Sequence, residues 1–162
     1  MENLVLRRPE ALPWRVAAGV LISCALAAAI FAVHSIVNPR LAPVSVVLLE
    51  QRGAATAPLR LQPAVTRYQW WRGLQGRRRL PARTGMLFDF GQPSHVCLWM
   101  LHTPMALQAM FFDASHRLVA SALMSAESLK THCPRAPVQY AIELAPGVAD
   151  VSEIKGFRFG NY

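Results

Sequence analysis

Three side chains that could do chemistry stand inside an otherwise apolar run. His102, Thr103 and Gln108 are polar, yet they lie within the stretch Leu98–Asp113. Polar groups that are removed from water need hydrogen-bond partners. Either these side chains tie the loop at Pro104 to a neighbouring strand, or they face a small cleft that accepts a polar ligand. The residues expected to line such a cleft are Trp99, Met100, His102, Thr103 and Gln108.

The histidines and cysteines lack the spacing of a metal site or a thiol enzyme. The five histidines form no H-x-x-x-H pair, and the cysteines form no C-x-x-C pair. A thiolate nucleophile also needs a base at a defined geometry, and no Gly-rich phosphate loop is present. The sequence therefore predicts no metal, no cofactor and no catalytic residue. An enzyme that uses the edge between Trp99 and Gln108 stays an alternative.

The cysteines allow one disulfide if the domain is exported. Cys24 lies in the apolar N-terminal segment, which leaves Cys97 and Cys133 for the domain. An oxidising compartment permits a bridge between them. Closing this 37-residue loop would stabilise the domain by about 3–4 kcal/mol in an unstrained geometry. Alternatively, Cys97 is a small buried hydrophobic residue.

A cluster of arginines gives the domain its positive charge. Residues 38–162 contain 14 Lys and Arg against seven Asp and Glu, a net charge of +7, and six arginines fall between Arg67 and Arg83. This surface suits anionic lipid, polysaccharide or an acidic protein. It would indicate nucleic acid only in a domain that faces the cytoplasm, and its alternative role is a solvated, solubilising face. The arginines predicted to bind a polyanion are Arg72, Arg77, Arg78, Arg79 and Arg83.

The N-terminal part of the chain contains a long uncharged segment. Val16–Val37 has 22 residues without a formal charge, and a helix of this length crosses a hydrocarbon core of roughly 30 Å. We therefore predict a cytoplasmic segment at residues 1–15 and a transmembrane anchor at residues 16–37. A cleaved signal peptide fits less well because no A-x-A site with a polar sequel follows. A lipoprotein fits less well because the sequence after Cys24 stays apolar.

The arginines that flank this segment favour a domain outside the cytoplasm. Arg7, Arg8 and Arg15 precede the segment, whereas Arg40 and Arg52 follow it. Positive charge is enriched on the cytoplasmic side of membrane spans. We predict a single-pass protein of the cytoplasmic (inner) membrane, whose C-terminal domain is periplasmic.

The remaining sequence predicts an α+β domain built mainly on antiparallel strands. Residues 38–43 form a linker stiffened by two prolines, and the domain occupies residues 44–162. β-branched and alternating runs predict strands at Val44–Glu50, Leu59–Val65, Met86–Phe90, His95–Leu101, Met105–Asp113, Arg117–Leu123 and Val138–Leu144. Asp113–His116 predicts a hairpin loop because Asp and Ser side chains bond to nearby backbone.

One short helix is predicted between the second and third strands. Thr66 and Gln69 have the spacing of a capping box, in which each side chain satisfies a free N–H of the first turn. Trp71 and Leu74 give the helix an apolar edge, and Gly76 ends it. In the predicted strand at His95–Leu101, alternation would put Leu98, Met100 and His102 on one face and Cys97, Trp99, Leu101 and Thr103 on the other.

Short motifs along the domain form one ordered pattern. They are Arg72-Gly73-Leu74 with Gly76-Arg77 and Leu80, Gly85-Met86-Leu87-Phe88 with Phe90, Trp99-Met100 with Thr103, Phe111-Phe112-Asp113, and Tyr140-Ala141-Ile142-Glu143-Leu144 with Gly147. Together they resemble the DUF192 domain over roughly Val44–Phe159. The resemblance implies a compact, barrel-like β fold with short helices. Such domains often follow an export signal in bacteria and archaea, and their biochemical function is not established.

The chain departs from the family pattern near its tryptophan. That pattern runs approximately F-W-M-K-N-T and then L-D, whereas Leu101, His102 and Gln108 stand at the lysine, asparagine and aspartate positions. A family site that used the lysine or the carboxylate is therefore not carried over. We expect a membrane-anchored, extracytoplasmic DUF192-type binding or assembly module. The alternatives are an enzyme with a polar-ligand cleft and a cytoplasm-facing basic domain that binds nucleic acid or anionic lipid.

Overall fold

The computed structural model describes residues 23–33 and 41–160. The chain divides into two compact units, Met1–Arg40 and Leu41–Tyr162. In the first unit, residues 23–33 form a helix, α1. Among the described residues, no helix combines the length and the apolar character needed to cross a membrane. The predicted segment at residues 1–15, both ends of the predicted anchor (16–22 and 34–37) and linker residues 38–40 lie outside the described residues.

The second unit is built on one seven-stranded sheet. Its elements are β1 (Val44–Glu50), β2 (Leu59–Ala64), α2 (Arg67–Arg72), β3 (Thr84–Ser94), β4 (Leu107–Phe112), β5 (Leu118–Met124), β6 (Val138–Leu144), a 3-10 turn (Val151–Glu153) and β7 (Ile154–Phe159). The strand order is β5-β4-β6-β3-β2-β1-β7. Neighbouring strands are antiparallel, except β2 and β3, which are parallel.

The two edges of this sheet approach each other. Arg117 and Gly156 form an isolated antiparallel bridge, and the backbone N–H of Phe157 donates to the carbonyl of His116 over 3.0 Å. The sheet thereby curls into a barrel-like form, as full or partial closure protects strand edges. The predicted barrel-like, mainly antiparallel domain with short helices is confirmed.

Both faces of the curled sheet are apolar. The inner cluster consists of Val46, Leu48, Leu59, Leu61, Leu87, Met110, Phe112, Tyr140, Ile142, Leu144, Ile154 and Phe157. The outer cluster consists of Ala64, Leu74, Met86, Phe88, Leu98, Met100, Leu107, Ala109, Phe111, Met124, Val138 and Ala141. Neighbouring positions of β4 and β6 alternate between the two clusters, as the two-residue period of a strand requires. Helix α2 and residues 95–106, which we call the strap, cover the outer face.

Helix α2 begins as predicted. The Thr66 hydroxyl accepts a hydrogen bond from the backbone N–H of Gln69, and the Gln69 side chain accepts one from the backbone N–H of Thr66. These two bonds satisfy N–H groups that the first turn leaves without helical partners. The helix ends at Arg72 with Gly73 as its C-cap, at a φ of 44°, and not at Gly76 as predicted.

The apolar edge of α2 differs from the prediction. Trp71 is 53% exposed, whereas Trp70 and Leu74 pack against the outer cluster. Trp70 faces the sheet because its indole N–H finds carbonyl acceptors there, and a buried indole N–H needs such a partner. The predicted apolar edge is therefore wrong for Trp71, and Leu74 packs in the outer cluster from the turn after the helix.

The predicted strand at His95–Leu101 is wrong. Leu98 forms one isolated bridge with His132, and the rest of the segment is irregular. Leu98 and Met100 reach the outer cluster from a segment that lies over the sheet instead of within it. An extended segment on an apolar surface shows the same alternation of burial as a strand, although its backbone has no ladder partner.

The other predicted strands are confirmed with small shifts of their ends, except that β3 runs from Thr84 to Ser94 and is much longer than the predicted Met86–Phe90. The hairpin loop is also confirmed, because the Asp113 carboxylate accepts the backbone N–H groups of Ser115 (2.8 Å) and Arg117 (2.9 Å). Strand β7 was not predicted, although the exposed Lys155 and Arg158 and the buried Ile154 and Phe157 show an irregular form of strand alternation. Gly156 interrupts that pattern, since its missing side chain leaves room for the His116 carbonyl.

Candidate functional site

A cavity of about 350 Å³ opens on the outer face of the sheet, between α2 and the strap. It is lined by Trp70, Trp71, Arg72, Gly73, Leu74, Gln75, Phe88, Phe90, Ser94, Val96, Cys97, Leu98, Trp99, Thr103 and Glu143. Three of the chain's four tryptophans are among these residues. Sites for small molecules have volumes from about 300 to 1,000 Å³ and combine apolar walls with a few polar groups.

The α2 wall of the cavity is fixed by the Trp70 side chain. Its indole N–H donates to the carbonyls of Ala64 (2.9 Å) and Asp89 (3.1 Å). Its ring packs edge-on against Phe90, with centroids 5.4 Å apart. Hydrogen bonds at one end of the ring and packing at the other hold one rotamer. This wall therefore requires little ordering when a ligand binds.

A backbone hydrogen bond joins the two walls. The N–H of Gly76, in the turn after α2, donates to the carbonyl of His102 in the strap over 2.7 Å. His102 has a φ of 54°, a left-handed conformation that non-glycine residues adopt at a cost. The strap therefore contributes the His102 backbone to this junction, while the imidazole is exposed.

The strap wall is also anchored to the connection between β5 and β6. Cys97 and Cys133 form a disulfide, with Cα atoms 4.2 Å apart. Next to it, the backbones of Leu98 and His132 exchange two hydrogen bonds of 3.0 and 2.8 Å, and the N–H of Met100 donates to Ser128 over 3.1 Å. The bridge predicted between Cys97 and Cys133 thus holds the strap beside the cavity.

The floor of the cavity contains a buried carboxyl group. Glu143 is in β6, where it lies between Met86 of β3 and Ala109 of β4, and 3% of its surface is exposed. Thr103 and Glu143 are the polar residues that are buried among the described residues, and both line the cavity. The Thr103 hydroxyl donates to the carbonyl of Leu101 over 3.3 Å.

Burial decides the protonation of Glu143. Removal of the carboxyl from water raises its pKa from an ordinary value of 4.5 to about 8, because a charged carboxylate is disfavoured in an apolar environment. Within the described residues Glu143 forms no ion pair; the ion pair there joins Arg117 and Asp113. Near neutral pH the Glu143 carboxyl is therefore mostly uncharged, and its O–H can donate a hydrogen bond.

The five residues predicted to form a cleft separate into two groups. Trp99, 39% exposed, and the buried Thr103 line the cavity. Met100 is fully buried in the outer cluster, and the His102 side chain faces solvent. Gln108 donates to the carbonyls of Ala109 and Ala122, each over 3.1 Å, and so contacts β5.

Several lining residues were not identified from the sequence. Trp70, Phe88 and Glu143 are distant from the strap along the chain, and the sheet and α2 bring them beside it. One signal was available: Glu143 is the acidic residue of the apolar run Tyr140–Leu144. A charge at a position that alternation assigns to a buried face is a common mark of a functional group.

The predicted polyanion-binding arginines also differ in their surroundings. Arg72 is exposed and lines the cavity, and Arg77, Arg78 and Arg79 are exposed in the turn after α2. Arg83 instead donates to the carbonyls of Ala57 and Pro58, so its guanidinium ties the connection between β1 and β2 to the start of β3.

The structure offers no metal-binding group among residues 23–33 and 41–160. Within them, no three His, Cys, Asp or Glu side chains lie close enough together to hold a metal ion.

Comparisons with known proteins identify one family and several similar solved structures. The DUF192 family, described as "Uncharacterized ACR", matches residues 47–156. A crystal structure of a "putative transcription regulator" from Sinorhizobium meliloti is 28% identical, with a TM-score of 0.69 over 75% of this chain and 95% of that one. A protein of unknown function from Novosphingobium aromaticivorans is 21% identical, with a TM-score of 0.66 over 72% and 84% of the two chains, and supports the fold alone. None of the curated proteins matches this chain.

We predict that Glu143 makes stability fall as pH rises. The folded protein keeps this proton up to a pKa of about 8, whereas the unfolded chain releases it near 4.5. The protonated Glu143 carboxyl therefore makes its full contribution to the free energy of unfolding below pH 4.5. As pH rises from 4.5 to 8, this contribution is lost, and the free energy of unfolding falls by an amount on the order of 5 kcal/mol. Glu143→Gln should remove this part of the pH dependence, as measured by chemical denaturation from pH 4.5 to 8.5.

The control for this measurement is Glu127→Gln, which removes an exposed carboxylate and should keep the wild-type slope. A free-energy difference between the wild type and Glu143→Gln that stays constant over the whole range would contradict a buried, uncompensated carboxyl.

We predict that the disulfide is present in protein taken from its native compartment. Alkylation under denaturing, non-reducing conditions should modify one thiol, Cys24, and a peptide map should join Cys97 to Cys133. The double variant Cys97→Ser/Cys133→Ser should lose about 3–4 kcal/mol of unfolding free energy, because its unfolded chain is no longer cross-linked. Cys24→Ser is the matched control. Modification of three thiols would disprove the bridge.

Proposed function

This chain belongs to the DUF192 family, whose model matches residues 47–156, and we propose that it is a membrane-anchored, extracytoplasmic binding module. In this proposal a small-molecule ligand occupies the cavity. One observation carries this proposal. A cavity with an aromatic wall fixed by Trp70 contains a buried carboxyl group that forms no ion pair within the described residues. Buried polar groups of this kind cost stability and are retained where they serve a site.

Binding is a better interpretation of the cavity than catalysis. General acid–base or nucleophilic chemistry needs at least two reactive groups within hydrogen-bond reach. The titratable or charged side chains that line this cavity are Glu143 and Arg72, and the Cys97 sulfur is in a disulfide. The Thr103 hydroxyl faces a backbone carbonyl and has no base beside it. A lone acid in an aromatic cavity recognises a ligand but lacks a partner for proton relay.

The proposed location rests on the N-terminal segment and the disulfide. In the described part of residues 16–37, helix α1 leaves Leu26, Ile30 and Phe31 between 62 and 72% exposed, which suits a lipid environment better than water. Disulfides persist in oxidising compartments, so the bridge between Cys97 and Cys133 favours the periplasmic side. It also disfavours the alternative of a cytoplasm-facing domain that binds nucleic acid.

The exposed arginines support an additional anionic partner near the cavity. Arg77, Arg78 and Arg79 come after the turn at Gly73–Gly76 that follows α2, and they make no ion pair within the described residues. With the anchor holding the domain at the membrane, an anionic lipid headgroup, a polysaccharide or an acidic protein could screen them. We therefore propose that one of these anionic partners binds the exposed arginines.

The anchor predicts how the protein is extracted. Because residues 16–37 would span the bilayer, detergent should release the full-length chain, and alkaline carbonate or high salt should leave it in the membrane pellet. A reporter fused after Tyr162 should be active only as an exported fusion. Release by carbonate alone, or an active cytoplasmic reporter, would refute the anchor or its orientation.

The cavity predicts binding of a small flat probe. The full-length protein in lipid nanodiscs is titrated with 5-fluoroindole and followed by fluorine NMR, with empty nanodiscs as the blank. Val96→Trp should weaken binding at least about tenfold, a loss of roughly 1.4 kcal/mol, because its side chain occupies the space that Val96 lines.

Leu123→Trp is the matched control, because Leu123 is 64% exposed and lies outside the cavity lining. It adds the same ring at a different place and should bind the probe as the wild type does. Equal binding by all three proteins would show that the cavity is not the site.

A further inference from the structure

We propose that the cavity binds a flat heteroaromatic molecule whose ring edge presents adjacent hydrogen-bond donor and acceptor atoms to Glu143, and whose anionic substituent lies against Arg72. This inference rests on the proposed binding function and names the chemical class of its ligand.

The walls of the cavity select a flat ring. Trp70 and Trp99 belong to opposite walls, on α2 and the strap, and Phe88 lies on the floor. Aromatic surfaces held in this way favour a planar ligand that stacks against them, since offset or edge contacts between rings add about 0.5–1.5 kcal/mol beyond buried area. The fixed rotamer of Trp70 means that this contact needs little reorganisation.

Glu143 selects the edge of the ring. An uncharged carboxyl has one donor, its O–H, next to one acceptor, its C=O. Its complement is a ring edge with one acceptor next to one donor, as in an aminopyrimidine or a lactam. An ionised carboxylate has acceptors alone and would instead match two adjacent donors. Burial keeps the uncharged form of Glu143 dominant near pH 7, since it raises the pKa of this carboxyl to about 8.

Arg72 selects the charge of the substituent. Arg72 is exposed and is one of the residues that line the cavity, and it makes no ion pair within residues 41–160. Guanidinium groups bind carboxylates and phosphates through paired hydrogen bonds. The net charge of +7 on residues 38–162 also attracts anions and repels cations. An organic cation, which an acid among aromatic rings could otherwise accept, is therefore the less favoured ligand.

The protonation of Glu143 should control this binding. Among the residues that line the cavity in the described part of the chain, α2 contributes the charged Arg72 and the strap contributes the disulfide-bonded Cys97, while the strand neighbours of Glu143 are Met86 and Ala109. Above the pKa of about 8, ionised Glu143 loses its donor and repels an anionic ligand. Affinity should accordingly decrease with pH through that value.

The test uses full-length protein in zwitterionic nanodiscs and calorimetric titration with adenosine monophosphate between pH 7 and 9.5, where the phosphate is mostly doubly ionised because its second pKa is about 6. Adenine presents an adjacent acceptor and donor. If the uncharged acid is required, binding should be about thirtyfold weaker at pH 9.5 than at pH 7, which is the ratio of its uncharged fractions.

Variants separate the two contacts. Glu143→Gln keeps a donor and an acceptor without a titratable proton, so it should bind adenosine monophosphate with no dependence on pH, whereas Glu143→Ala should lose binding. Arg72→Gln should weaken the binding of adenosine monophosphate about tenfold, as expected for a lost charged hydrogen bond. The affinity for adenosine, which has no phosphate, should not change. Arg158→Gln, an exposed arginine on β7, is the matched control and should bind both ligands as the wild type does.

Four results would overturn the inference. Binding of 5-fluoroindole without binding of adenosine monophosphate would refute this ligand class while the binding function stands. Binding of phenethylammonium that strengthens as pH rises through 8 would identify an organic cation as the ligand. No change on replacing Glu143 or Arg72 would place the nucleotide elsewhere. Absence of binding by both 5-fluoroindole and adenosine monophosphate would refute the binding function itself.

Discussion

The sheet of this domain is apolar on both faces, and this constraint organises the rest of the structure. Curling the sheet buries one face in its own interior, as in other small barrels, where inward side chains fill the core. The opposite face of β3, β6 and β4 cannot be covered in that way. Other parts of the chain must lie over it, and α2 and the strap do so. Both are short, and the strap is irregular, so the cover is incomplete, and the cavity is the space left between its two parts.

The same constraint explains why the cover is fastened so firmly. Neither a six-residue helix nor an irregular strap makes enough internal hydrogen bonds to be stable alone. The Trp70 indole is bonded to the sheet, the strap is joined to the connection before β6 by a disulfide, and Gly76 joins the two parts through the His102 carbonyl. The left-handed backbone of His102 is the local cost of that last contact.

A carboxyl group under this cover has unusual properties. On the outer face of an uncovered sheet, Glu143 would be a solvated anion. Beneath α2 and the strap it is almost fully buried, and its pKa rises to about 8. The apolar cover therefore changes an ordinary acid into a neutral hydrogen-bonding group, and the proposed ligand class follows from that change. The family match and the similar structures support the fold, while the site is argued from these side chains.

Local sequence determined most of the elements of this protein. The runs at Val44–Glu50 and Val138–Leu144 become strands with those bounds, and the capping box at Thr66 and Gln69 starts α2, because β-branched runs and caps act within a few residues. The ordered motifs identified the family. The tertiary structure decided the rest. Alternation alone could not tell the strap from a strand, since both bury every second residue. Nor does alternation predict that Trp70, Trp99 and Glu143 line one cavity. Which residues lie there depends on the segments that cover the outer face, and packing between distant parts of the chain decides which segments those are.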